Sequence, residues 1–278
     1  VFGNYSPEPE QSRGSSAAAG SSVRAIAGMD VDRCVARSYL YRTLALTLED
    51  PSCESWSVLR DPDTVRSLTS AGAALGEPVL SSVRAMTAAL GQTSLDSFTD
   101  AYIAAFGHAA RGTCPPNETE YSEAIADPLF QPHRLADLAA FYRAFGLEVA
   151  TGSGERHDHV CMELEFLCVL AAKEAYALEH RLADEELSLC RDAQRKFLRE
   201  HLGRWTPAFT RMLAAATADP LLRSVAELLR GFVEAECARF GVNPGSVDLA
   251  LRPVEESAER MCDSCGISNL PPGALAAS

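Results

Sequence analysis

From Asp30 onward, apolar positions recur every three to four residues. Val31, Cys34, Val35, Tyr41, Leu44, Ala45 and Leu48 share one helical face, which Asp50-Pro51 closes. Asp61-Pro62 reads as an N-cap followed by proline at the first helical position, opening a helix that fades near Gly76. A third helix runs from Pro78 to Gly91. Ser94 caps a fourth, with Leu95, Phe98, Tyr102 and Phe106 on one face before Gly107. A fifth carries Leu135, Leu138, Ala139, Tyr142 and Phe145 inward and stops at Gly146. The sixth, to about Leu182, is oily around most of its circumference, as a buried central helix is. A charged amphipathic seventh spans 184–202, Thr206-Pro207 opens an eighth, and Asp219-Pro220 opens a ninth that ends by Gly241. No alternating strand pattern and no fixed-period repeat interrupts this series. The pattern predicts an all-α fold of about nine helices around one core.

The flanks read differently. Residues 1–28 are rich in Ser, Ala, Gly, Pro and Glu without periodicity, the composition of a disordered tail. The helical domain is expected over 29–243. Residues 244–278 form an irregular tail, with a short acidic helix near Val254–Met261 and the knuckle Cys262-Asp-Ser-Cys265-Gly266.

Two polar stretches stand out from the apolar stripes. One is the lead-in to the sixth helix, Glu155-Arg-His-Asp-His-Val-Cys-Met-Glu163. Asp158 suits the N-cap, because its carboxylate can accept from backbone N–H groups that lack an intrahelical partner. His159 then falls in the first turn, and Glu163 four residues on lies along the same face. The other is Cys114-Pro-Pro-Asn-Glu-Thr-Glu-Tyr121, inside a loop of roughly twenty residues, a length that in a helical protein usually marks function or disorder. Its paired prolines favour a stiff, extended backbone. Two carboxylates and a tyrosine on such a support suit a cationic ligand, or equally a solvated connector.

Composition narrows the choice of partner. The 278 residues are 47% hydrophobic and carry a formal charge of −13, with no Lys/Arg-rich block, which disfavours nucleic acid and favours a basic peptide. No apolar run reaches about eighteen residues, so no membrane insertion is expected. The first residues lack a basic start followed by an apolar stretch, which argues against secretion. Nine cysteines, several at helical spacing, suit small buried hydrophobes in a reducing compartment, and the expected location is cytoplasmic.

Catalytic signatures are missing. The sequence holds no His-Glu-x-x-His, no Glu-x-x-His pair, no P-loop and no Gly-x-Ser-x-Gly. Cys262 and Cys265 supply two thiolates where a closed zinc site needs four ligands. A helical metal or thiol-redox protein working through them stays open as an alternative, as does a permanent structural subunit of a larger complex.

Three stretches carry a resemblance. Tyr39-Leu-Tyr-Arg-Thr-Leu-Ala-Leu46 before Asp50-Pro51, Pro115-Pro-Asn-Glu-Thr-Glu-Tyr121 continued by Leu138, Phe141-Tyr142 and Gly146-Leu147, and Glu155-x-x-Asp158-His159 with Glu163-Leu-Glu-Phe166 together resemble the TorD/DmsD/NarJ family of redox-enzyme maturation chaperones. The likeness covers roughly residues 30–240. Its details are most similar to members serving molybdoenzymes of the dimethyl-sulfide, chlorate, selenate and ethylbenzene dehydrogenase type. Many relatives place proline before the Asp-His pair, where this chain has His157.

The resemblance implies a non-catalytic helical chaperone with no cofactor of its own, acting as a monomer or homodimer. It would bind the N-terminal leader, often of twin-arginine type, of a molybdenum oxidoreductase's catalytic subunit until the molybdopterin cofactor is inserted. The residues expected at the leader are Glu118, Glu120, Tyr121, Tyr142, Glu155, Asp158, His159 and Glu163. Reversing Glu155 and Asp158 to lysine is expected to weaken leader binding without unfolding the domain.

Overall fold

The computed structural model describes residues 19–107, 111–122, 129–149 and 156–253, with backbone alone for 19–29. Among these residues lie ten α-helices: α1 (Ala19–Leu48), α2 (Cys53–Arg60), α3 (Pro62–Leu75), α4 (Val79–Gln92), α5 (Leu95–Phe106), α6 (Phe130–Ala144), α7 (Val160–Glu179), α8 (Asp184–Glu200), α9 (Leu202–Ala216) and α10 (Pro220–Phe240). A 3₁₀ turn, Glu118–Glu120, sits in the loop between α5 and α6, and the extended pairings are isolated bridges. The all-α expectation holds.

Four details depart from the sequence reading. Helix α1 begins inside the stretch read as a tail. Helix α2 was not foreseen: it is only eight residues long and buries only Ser55 and Leu59, too few positions to show a period. It is set by a Ser52/Ser55 capping box. Val35, placed on the inner face of α1, is 53% exposed, while Arg37 on that helix is buried.

The last departure concerns Thr206-Pro207. Helix α9 starts at Leu202, so Pro207 lies within it. Proline cannot donate to the carbonyl four residues back. That carbonyl, on Gly203, instead accepts the Gly245 N–H at 2.9 Å. A strap from Val242 to Pro253 thereby closes over α9. Its Val242 and Leu249 are buried, and Leu249, inside the stretch expected as a tail from 244, packs into the core.

The sixth predicted helix is α7, and it is central. It lies along α1 in the most extensive helix pairing of the fold and also contacts α8 and α9. One end of this assembly is fixed by Arg37. Its Nη1 donates to Glu174 at 2.8 Å, its Nε and Nη2 donate to Glu236 at 2.6–2.8 Å, and the Tyr41 hydroxyl donates to Glu236 at 2.8 Å. Its Nη2 also donates to Gln194, so three acceptors on three helices, α7, α8 and α10, leave this buried cation paired, as burial of charge requires. Burial would raise the Glu174 carboxyl, but the Arg191 hydrogen bond and the Arg37 charge outweigh it and hold the group at about 2. The other end of α7 carries the polar cluster.

Candidate functional site

The two polar stretches meet. Pro115 and Pro116 lead in an extended course to the 3₁₀ turn, and this backbone pairs with the residues before α7. Val160 N–H donates to the Pro116 carbonyl and Glu118 N–H to the Asp158 carbonyl, each at 2.8 Å, around an Asn117–His159 bridge. The strap holds the loop's other edge. Ser122 N–H donates to Ala250 at 3.1 Å and Arg252 N–H to Glu120 at 2.8 Å. The motif loop is therefore pinned on both sides.

Asp158 is buried and is not the cap of α7. Its carboxylate accepts from the Thr119 N–H (3.1 Å), the Thr119 hydroxyl (2.6 Å), Arg156 Nε (3.0 Å) and Nη2 (2.8 Å), and Asn117 Nδ2 (3.4 Å). The donors come from the facing loop and from Arg156, and none from the helix's own first turn. His159 caps instead: its Nδ1 accepts from Cys161 N–H at 3.3 Å and lies 2.8 Å from the Cys161 thiol. Burial lowers this imidazole to about 4, so it is neutral near pH 7.

Glu118 is wholly buried. His201 Nδ1 and Arg204 Nη2 both reach its carboxylate at 2.9 Å, and Arg134 stands at 3.7 Å. Burial opposes ionisation there, but the His201 hydrogen bond and these cations together lower the carboxyl below its ordinary range. Glu163 behaves oppositely. Its Oε2 accepts from Trp205 Nε1 at 3.1 Å, while its buried Oε1 has no hydrogen-bond partner. Burial, then the Glu118 charge, raises this carboxyl well above the ordinary carboxylate range. His159 and Glu163, expected at the leader on one face of the helix, are both buried.

The two tyrosines are buried as well. The Tyr121 hydroxyl donates to the Pro115 carbonyl at 2.9 Å, and its ring lies against Trp205. The Tyr142 hydroxyl donates to the His157 carbonyl at 2.8 Å, with the two rings nearly parallel. Glu120 alone of the expected acids within the described residues keeps some exposure, and it faces Arg111 and Arg156 at 3.3 and 3.6 Å. Glu155, Cys262 and Cys265 lie outside the described residues. Among those described, no group of three or more His, Cys, Asp or Glu side chains could hold a metal ion, and no helix is long and apolar enough to cross a membrane.

The expected open acidic rim is thus a closed, internally neutralised lock. Beside it is an open hollow of about 230 Å³ between α6 and the lead-in to α7, lined by Ala139, Tyr142, Arg143, Leu147, Glu148, Val149 and His157. Thr119, Arg156, His201, Arg204 and Trp205 complete the lock and were not singled out from the sequence.

A family profile described as nitrate reductase delta subunit matches residues 73–211, which includes the motif loop, α7 and Trp205 and leaves out the strap. The chain is 29% identical over 206 residues to the perchlorate reductase assembly chaperone protein of Dechloromonas aromatica, covering 74% of this chain and 90% of that one. It is 35% identical over 107 residues to the selenate reductase assembly chaperone protein of Thauera selenatis (38% and 53% of the two chains). Over 117 residues it is 33% identical to chaperone protein TorD of Vibrio cholerae (42% and 51%).

Proposed function

The chain belongs to the nitrate reductase delta subunit family, the TorD-like maturation chaperones, and we propose that it is the assembly chaperone of a molybdenum oxidoreductase. In this reading it binds the N-terminal leader of the catalytic subunit in the cytoplasm, keeps that subunit open for molybdopterin cofactor insertion, and carries out no catalysis itself. The observation that carries the reading is the meeting of both signature stretches in one locked unit beside an open hollow.

A leader combines a cationic and an apolar stretch, so its receptor needs apolar contact for affinity and nearby acid for orientation. Ala139, Leu147 and Val149 supply the first, and Glu148 and Glu120 supply the second. The buried Glu118, Tyr121, Tyr142, Asp158, His159 and Glu163 act one step back, fixing the shape of the seat. The chain's formal charge of −13 favours encounter with a cationic segment at low salt.

The test is capture from the native cell. The tagged chain should recover a molybdenum oxidoreductase's catalytic subunit before cofactor loading, and removal of that subunit's leader should abolish recovery. Finding the chain in the finished, cofactor-loaded enzyme would instead make it a permanent structural subunit.

A further inference from the structure

Glu163 is unusual within the lock. Every other acid there is neutralised by neighbouring donors: Asp158 by Arg156, Thr119 and Asn117, Glu118 by His201 and Arg204, Glu120 by Arg111 and Arg156. Glu163 has one donor, the Trp205 indole, and a buried oxygen with no partner. The groups that bear on it are Glu118 from the 3₁₀ turn, Asp158 ahead of α7, Tyr142 from α6 and Arg204 from α9. His159 lies at the foot of the same turn of α7, accepting the Glu163 N–H on its carbonyl at 3.2 Å. His201 stands one step further, on Glu118.

We propose that Glu163 is a proton-linked latch for the motif loop: its carboxyl stays an acid while Glu118 is seated beside it, and it releases its proton to water when residues 115–122 leave the seat. Two carboxyls in one buried site do not both ionise, because each charge opposes the other and no solvent screens them. Glu118 has the cationic partners, so Glu163 keeps the proton. Removing the loop takes away the Glu118 charge and admits water, and both changes favour ionisation of Glu163. The O–H bond of the carboxyl breaks and the proton passes to solvent; nothing else changes hands. Rising pH then favours the open loop. The connection of this latch to leader docking rests on the function proposed above; the latch itself does not.

Three backbone amides report the loop directly, since Glu118, Thr119 and Ser122 donate from it to Asp158 and Ala250 outside it. Their hydrogen exchange, corrected for the intrinsic effect of pH, should be followed in the full chain from about pH 5.5 to 9, in the wild type and in Glu163→Gln. A one-proton latch makes wild-type opening rise roughly tenfold per pH unit once Glu163 titrates, and leaves Glu163→Gln flat. A flat wild-type profile, or the same slope in Glu163→Gln, overturns the latch.

Should the glutamine variant fail to fold, Trp205 serves as a second probe. In Trp56→Phe it is the remaining tryptophan, and its emission should change over the pH range in which the loop opens; unchanged emission overturns the proposal. Titrating the catalytic subunit's leader peptide is a separate arm. Absence of leader binding with the pH slope intact would sink the functional reading and leave the latch standing.

Discussion

At Asp158 a single carboxylate collects five hydrogen-bond contacts from the motif loop and Arg156. Asp158→Ala leaves those donors buried without an acceptor, and chemical denaturation should record a loss of about 1–3 kcal/mol. Asp158→Lys, conceived as a probe of leader binding, would place a cation against Arg156 in the interior and unfold the site it was meant to test. The neighbouring His159 sets an acid limit. Its folded-state value of about 4 is below the ordinary 6.5, so the unfolded chain binds more protons between those values. Stability is complete above about pH 6.5 and declines as pH falls toward 4; thermal melts of His159→Asn, which can still cap α7, should lose that slope. Glu163 has the opposite sign. Its raised value makes its contribution fullest below 4.5 and lost as pH rises, so Glu163→Gln should be at least as stable as wild type at pH 8. Spacing alone found Asp158, His159 and Glu163, but it placed them at the surface. The hydrogen-bond partners Thr119 of Asp158 and Trp205 of Glu163 lie some forty residues away in either direction along the chain, and no local pattern reveals such contacts.

Most helices were legible because each needed one signal, a 3.6-residue stripe ended by Asp-Pro or Gly. What escaped were elements defined by contact. Helix α2 is a capped single stretch with almost no buried face. The start of α9 was misplaced because Pro207 obeys a local rule that a distant residue relaxes, the Gly245 N–H taking the carbonyl that proline frees. That arrangement requires glycine at 245, since any Cβ there would collide with the Arg204 carbonyl oxygen. Gly245→Ala should therefore lift the strap, lower stability by about 1–3 kcal/mol and speed exchange of the Ser122 amide, which the strap protects. Unchanged stability would mean that the strap is not fastened at this point.

On the scale of the whole molecule, α7 is fixed at both ends by buried polar groups, the Arg37 cluster at one and the motif lock at the other. Arg37→Met would strand Glu174 and Glu236 without their shared cation, and equilibrium unfolding should show a loss of about 3–5 kcal/mol. Fold class and family were both readable from the chain. The hollow proposed as the leader's seat was not, because the acidic motif residues beside it are turned inward and most of its lining lies outside the motifs. The seat for a leader is central to the account, and isothermal titration of the catalytic subunit's leader peptide tests it most directly. Ala139→Trp, which fills the hollow, and Glu148→Lys, at its exposed edge, should each weaken binding about tenfold or more, near 1.4 kcal/mol, with melting temperature preserved. Wild-type affinity in both variants would contradict it.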